Sequence, residues 1–180
     1  MDMYKLKFTV LQMEIFRLFC MKTGEKINQR QIAGLLGVSP TAVARALPIL
    51  EKEKLVRISR GTTKLHFVEL NRDSQKALEL KRVENLRLLL ESGLPSYLEE
   101  HLPGCTIILF GSYERGDDTV KSDIDIAVVG AGDKKLDVAE YEKRLEKEIR
   151  INYYKTLKDI NRYLKSNILN GFTLSGGIEL

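Results

Sequence analysis

Cysteine and histidine are scarce in this chain of 180 residues, with two of each. Cys20 and Cys105 stand far apart, and neither has a second Cys or a His at metal-ligand spacing, so neither a disulfide framework nor a zinc site is suggested. Nothing around His66 or His101 resembles a nucleophile with its base, and all four residues are read as packing residues. Long apolar runs are missing too. No segment approaches the ~18 apolar residues needed to cross a bilayer. The start MDMYKLKFTV lacks the apolar stretch and small-residue cleavage site of a signal peptide. These absences predict a soluble protein of the cytoplasm with no membrane partner.

What is present suffices for an ordinary core: 43% of residues are hydrophobic and 30% charged, at a length that allows one domain or two small ones. The net charge of +4 hides an asymmetry. Residues 1–70 hold 12 Lys or Arg against 6 Asp or Glu, whereas residues 71–180 hold 17 against 19. A positive field confined to one small region favours a polyanionic partner, although charge is also a common solubility device.

Phe8, Leu11, Ile15, Leu18 and Phe19 recur at helical spacing, which predicts a first amphipathic helix ending near Thr23-Gly24. A second helix is expected from Asn28, with Gln31 three positions on as a capping box and Ile32, Leu35 and Leu36 as its apolar face. Gly37 supplies the turn. Ser39 caps a third helix with Pro40 at its first position, where a missing N–H costs nothing, and Val43, Leu47 and Leu50 inside. Pro48 falls within that helix and predicts a kink. In LVRISRGTTKLHFVEL, Val56 and Ile58 alternate with Arg57 and Ser59, then Leu65 and Phe67 with Lys64 and His66, a β-hairpin with a basic tip.

Three helices closed by a basic hairpin resemble the winged helix-turn-helix family over roughly residues 6–70, and SPTAVARALPILEKEKLV is similar to its recognition helix and the run into its wing. The resemblance implies a third helix in the major groove of double-stranded DNA. Thr41, Ala42 and Arg45 would then lie near base edges, and Arg57, Arg60 and Lys64 near phosphates. The same architecture also serves protein contacts or dimerisation.

From Asn71 to about Ser92 the chain reads as a helix with Leu80, Val83, Leu86 and Leu90 on one stripe, a connector able to pack on either neighbour or on a second subunit. A short helix through Tyr97, Leu98 and Leu102 follows. The run from Cys105 to Phe110 is apolar and β-branched, a buried strand delivering the chain into Gly111-Ser112, where a backbone free of Cβ can approach a ligand and N–H groups can meet phosphate oxygens. Ser122 to Val129 reads as a second strand, with Asp123 and Asp125 on one face and Ile124 and Ile126 on the other. Two carboxylates one strand repeat apart suit Mg²⁺ or Mn²⁺, though an isolated pair also suits the polar face of an edge strand.

The segment LFGSYERGDDTVKSDIDIAVVG resembles the signature of the DNA polymerase beta-like nucleotidyltransferase superfamily in its minimal form: Gly-Ser, ten residues, Asp-x-Asp. The tail NILNGFTLSGGIEL is similar to that form's closing segment. By this resemblance Gly111 and Ser112 hold nucleotide phosphates, and Asp123 and Asp125 bind the metal and carry catalysis. Arg115 faces phosphate, or pairs with Asp117 or Asp118. The implied reaction is attack of a hydroxyl on the α-phosphate of a nucleoside triphosphate, ATP by preference, with loss of pyrophosphate. Small members modify hydroxyls on partner proteins, including a toxin adenylylated by its antitoxin, and others modify small antibiotics. So short a domain leaves little room for an acceptor pocket, which favours a protein acceptor or a site completed in a homodimer.

One departure stands out. A helix from Leu136 to about Lys147 is expected, then a strand from Glu148 to Tyr154, where the family normally places a third carboxylate; this chain offers Arg150 and Asn152, with Glu148 the nearest acid. An Arg beside the paired aspartates weakens metal binding and suggests the alternative of a DNA-binding transcription regulator whose second domain binds nucleotide without transferring it, or only dimerises. The expected architecture is α+β: a winged helix-turn-helix domain (1–70), a linker helix (71–93) and a small mixed-sheet nucleotidyltransferase domain (94–180).

Overall fold

In a computed structural model, which describes residues 8–60 and 66–178, helix α1 (Val10–Met21) begins where the Thr9 side chain accepts from Gln12 N and Gln12 returns a bond to Thr9 N. Asn28 and Gln31 make the expected capping box at α2 (Gln29–Leu36), and Gly37 closes it with a φ of 66°. Ser39 accepts from Ala42 N at α3 (Pro40–Lys52). Each such cap is worth about 1 kcal/mol. The helix continues through Pro48 to Lys52, with the ring exposed.

Strands β2 (Val56–Arg60) and β3 (His66–Leu70) pair antiparallel, as the hairpin reading predicts. Gly61 to Lys64 and the Arg60 side chain lie outside the described residues, so the expected basic tip is not placed. Ile27–Asn28 forms a short strand, β1, on the far side of β3, giving the order β1-β3-β2. On β3 the inward residues are Val68 and Leu70, opposite Ile58 and Val56, so Phe67 shares a face with Glu69 and not the core. Leu35 also departs from expectation at 58% exposed, because Ile32 and Ala33 take the contact with the core. Ile15, Phe16, Phe19, Val43, Leu50 and Leu55 are fully buried, each contributing roughly 1.5–3 kcal/mol. Helices and hairpin together form a winged helix-turn-helix arrangement.

Contacts divide the chain into residues up to Lys81 and residues from Arg82 on, within helix α4 (Gln75–Ser92). Half of the stripe read from sequence packs inward on α4: Leu80 and Leu86 lie partly buried against the cores, whereas Val83 is 61% and Leu90 54% exposed, and Asn85, Leu89 and Ser92 are buried. Asn85 can be interior because its amide nitrogen is engaged, donating to Tyr113 O and Asp118 Oδ1. Hydrophobicity therefore misreports part of this helix's inside.

In the second unit α5 (Leu94–His101) leads to a four-stranded sheet of order β6-β5-β4-β7. Strand β4 (Thr106–Phe110) lies antiparallel to β5 (Ile124–Val129) and to β7 (Phe172–Ser175), and β6 (Ile149–Tyr154) runs parallel to β5. Between β4 and β5 stands a single turn of helix, α6 (Gly111–Arg115). Ile107, Leu109, Ile124, Ile126 and Val128 pack on one sheet face with Leu94 and Leu98 of α5. On the other, Ile108, Phe110 and Ala127 pack with Ile168 of α8 (Arg162–Leu169). Helix α7 spans only Ala139–Leu145, shorter than the expected Leu136–Lys147. The Asp137 side chain accepts from Ala139 N and starts it late, and Glu146, at φ 52°, ends it before Lys147 turns inward.

Candidate nucleotide and metal site

The pairing of β4 with β5 sets Phe110 opposite Asp125, so the residue after Phe110 meets the Asp125 side chain. That residue is Gly111, at φ 85°, and a Cβ there would lie 2.6 Å from Asp125 Oδ2. Only glycine meets both demands: a left-handed backbone and no side chain where the carboxylate stands. Ser112 follows as the second residue of α6, half-buried, with backbone N–H groups at the start of that turn. The sequence-predicted Gly111, Ser112, Asp123 and Asp125 are thus brought together by one strand pair.

Asp123 lies just before β5, and its side chain is 24% exposed. The Asp125 carboxyl is held above its ordinary value of 3.8, first by burial and then by the charge of Asp123, while Arg150 and Arg115 oppose the rise. A half-buried carboxyl raised by its neighbour's charge is what a divalent cation relieves. They supply two hard oxygen ligands, the number Mg²⁺ takes when phosphate and water complete its shell. Among the described residues no group of three or more His, Cys, Asp or Glu could hold a metal.

The third position is occupied by a cation. Parallel register sets Arg150 level with Asp125, and Arg150 Nη1 lies 3.0 Å from Asp123 Oδ2. Glu148 is two residues further out along the register: its carbonyl accepts from Ile124 N at 2.8 Å, and its carboxylate lies 3.4 Å from Arg150 Nε. The register thus carries Glu148 to the level of Asp123, and Arg150 pairs with both acids. Asn152 lies level with Ala127, deeper along the strand. Arg115 is half exposed and pairs with Asp117 at 3.4 Å, one of the alternatives left open by the sequence, though its charge also acts on Asp125. A cavity of about 950 Å³ opens beside Gly104, Val129 and Gly176, at the other end of β4 and β5 from Asp125.

Sequence reading missed the polar group behind these residues. Lys147, buried, donates to Thr119 O at 2.6 Å and Ser122 O at 3.3 Å and pairs with Asp118 Oδ2 at 3.1 Å. Asn85 donates to Asp118 Oδ1 at 2.7 Å and Tyr113 O at 2.8 Å, and Tyr113 returns its hydroxyl to Asn85 O at 3.0 Å. A lysine after a helix gives no sequence signal of burial, and the sequence offers Asp118 only as a partner for Arg115.

In the first unit, Thr41 and Arg45 are exposed one turn apart on α3, and Ala42 beside them is half-buried. Arg57 is 51% exposed on β2, but its guanidinium pairs with Asp73, so its charge is partly answered within the chain.

Residues 92–174 match the family model described as the nucleotidyltransferase domain. No curated protein matches the chain. Among solved structures, the chain resembles ZitR of Lactococcus lactis, a zinc-responsive MarR family member, at 25% identity over 56% of this chain and 65% of that one, with a TM-score of 0.39. ZitR in complex with DNA gives 26%, 54%, 63% and 0.40. The adhesin competence repressor AdcR of Streptococcus pyogenes gives 18%, 56%, 72% and 0.42. The chain thus spans 62% of the length of the first ZitR structure it matches, and likeness at these TM-scores supports no functional statement.

Proposed function

We propose, from the match of residues 92–174 to the nucleotidyltransferase domain, that this protein binds a Mg²⁺-nucleoside triphosphate and transfers its nucleotidyl group to an acceptor hydroxyl. The observation that carries this reading is the meeting of Gly111 with Asp125. It joins a phosphate-approaching turn to a paired carboxylate at one place. Asp123 and Asp125 would hold the ion, and the N–H groups opening α6 with the Ser112 hydroxyl would orient the phosphates. When bound, the ion supplies charge stabilisation to the attacking and leaving oxygens of an in-line displacement. The acceptor oxygen bonds to the α-phosphorus as the bond to pyrophosphate breaks, and Glu148, level with Asp123 in the strand register, is the carboxylate that would take the hydroxyl proton. Arg150 must release Asp123 first. It is 58% exposed, so it can turn toward the phosphates.

ATP is the expected nucleotide and a hydroxyl on a partner protein the expected acceptor. The winged helix is the DNA-binding part, with α3 carrying Thr41, Ala42 and Arg45 to the major groove of double-stranded DNA. Incubation with Mg²⁺, α-labelled ATP and lysate proteins tests the transfer. Label should appear on an acceptor and vanish with Asp123→Ala and with Asp125→Ala.

The pairing of Arg150 with Asp123 favours a second reading, a DNA-binding regulator that holds nucleotide without turnover. Mg²⁺-dependent ATP binding with no label transferred to any acceptor would select it.

A further inference from the structure

Asp123 is the residue that follows a tight turn. Ser122 N donates to Thr119 O, and Thr119 N donates to Ser122 Oγ, both at 3.0 Å. The two carbonyls of this turn, Thr119 O and Ser122 O, are the acceptors of the Lys147 ammonium. Its charge partner is Asp118, one residue before the turn and 1% exposed. Asp118 is in turn fixed from α4 by Asn85, which also holds the carbonyl of Tyr113 in the helix that begins at Gly111.

A buried ion pair is a poor device for stability, since apolar side chains of similar volume commonly do as well. Its advantage is geometric. Here every described hydrogen bond and ion pair of the Lys147 ammonium falls within the five residues from Asp118 to Ser122, next to the carboxylate argued to bind the metal. We propose that Lys147, oriented by Asp118 and Asn85, is a positioning residue that fixes the turn from Thr119 to Ser122 and so holds the Asp123 carboxylate in place for the divalent cation. This rests on the function proposed above. It adds the residue that sets the geometry of one ligand.

Removing one charge alone leaves the other buried and uncompensated, so Lys147→Met is expected to compromise folding. The double variant Asp118→Asn with Lys147→Met removes both charges and preserves volume. Two measurements are made on it, on Lys147→Arg, which keeps the cation and its donors, and on the wild-type chain: Mn²⁺ affinity by electron paramagnetic resonance, and hydrogen exchange residue by residue. In the double variant, Mn²⁺ affinity is expected to fall about tenfold, the usual scale for loss of an outer support of a metal ligand. Amides from Lys121 to Asp125 should exchange faster while those of Thr106 to Phe110 stay unchanged, and Lys147→Arg should restore both readings. Wild-type Mn²⁺ affinity in the double variant, or unchanged exchange across the turn, overturns the proposal. A wild-type chain that binds no Mn²⁺ refutes the proposed function instead, and the exchange rates still decide whether Lys147 fixes the turn.

Discussion

Arg150 stands level with Asp125 across the β5–β6 pair and reaches past it to Asp123, with Nη1 3.0 Å from Oδ2. A guanidinium thus fills the place where a divalent ion would share the same oxygen. The pair is partly exposed, which limits its strength to about 0–1 kcal/mol. Arg150→Ala should therefore raise Mn²⁺ affinity by a few-fold, not by orders of magnitude, since ~1 kcal/mol is about a factor of five. Arg150→Glu should raise it further by adding a third carboxylate level with Asp125. Titration calorimetry of both variants checks this, and a fall in affinity for Arg150→Ala would show that the guanidinium supports the metal site and does not compete for it.

Gly111 tolerates no side chain. Its φ of 85° costs any other residue about 1–3 kcal/mol, and a Cβ there would lie 2.6 Å from Asp125 Oδ2. Gly111→Ala should lower the melting temperature and abolish Mn²⁺ binding together, because relief of the clash moves the carboxylate. Ser112→Ala, with no such clash, should melt like the wild type and lose affinity only for the nucleotide. Thermal melts alongside calorimetry separate the two.

The strand, the Gly-Ser turn and the Asp-x-Asp spacing were legible because they are local: each is set by residues within ten positions and by strand alternation. The caps at Asn28 and Ser39 were legible for the same reason. What sequence could not give was set by partners far along the chain. Glu148 lies level with Asp123 because β6 runs parallel to β5 in one register, and a shift by one residue would have reversed which side chains face the site. Asn85 and Lys147 are buried because Asp118 answers both, and no periodicity announces such a group. The exposed Val83 and Leu90 are the other side of that error, since a helix that buries satisfied polar residues defeats a reading based on apolar stripes.

Acidity should weaken metal binding earlier than an ordinary aspartate pair would. Asp125 is raised above 3.8 by burial and then by Asp123, and the metal requires it ionised. Mn²⁺ affinity should therefore decline on acidification from a pH above the usual aspartate range. The stability sign is the reverse of a salt-bridged carboxylate: the folded state holds this proton more tightly than the unfolded chain. Its contribution is thus greatest at low pH and is lost as pH rises from the unfolded value through the raised folded one. Asp123→Asn removes the second cause and should move the titration downward. Carboxyl NMR shifts of Asp125 in the two proteins measure it directly.

DNA binding has its own electrostatic signature. A basic first unit that contacts phosphates must lose affinity steeply with salt, with a log–log slope of about −0.9 per phosphate neutralised. Arg60→Ala should reduce that slope by about one. Arg57 presents a different case, because Asp73 already holds its guanidinium. Asp73→Asn frees that charge without adding one, so it should strengthen DNA binding and steepen the salt dependence, whereas Arg57→Ala should do little more than the pairing allows. Arg45 lies on the exposed face of α3 one turn from Thr41, at the position argued to meet base edges. Arg45→Ala should therefore cost about 1–3 kcal/mol on the preferred sequence and much less on random DNA. Fluorescence anisotropy on selected and scrambled duplexes across a salt series distinguishes the two kinds of contact, and an affinity indifferent to salt would remove the winged helix from the DNA-binding role.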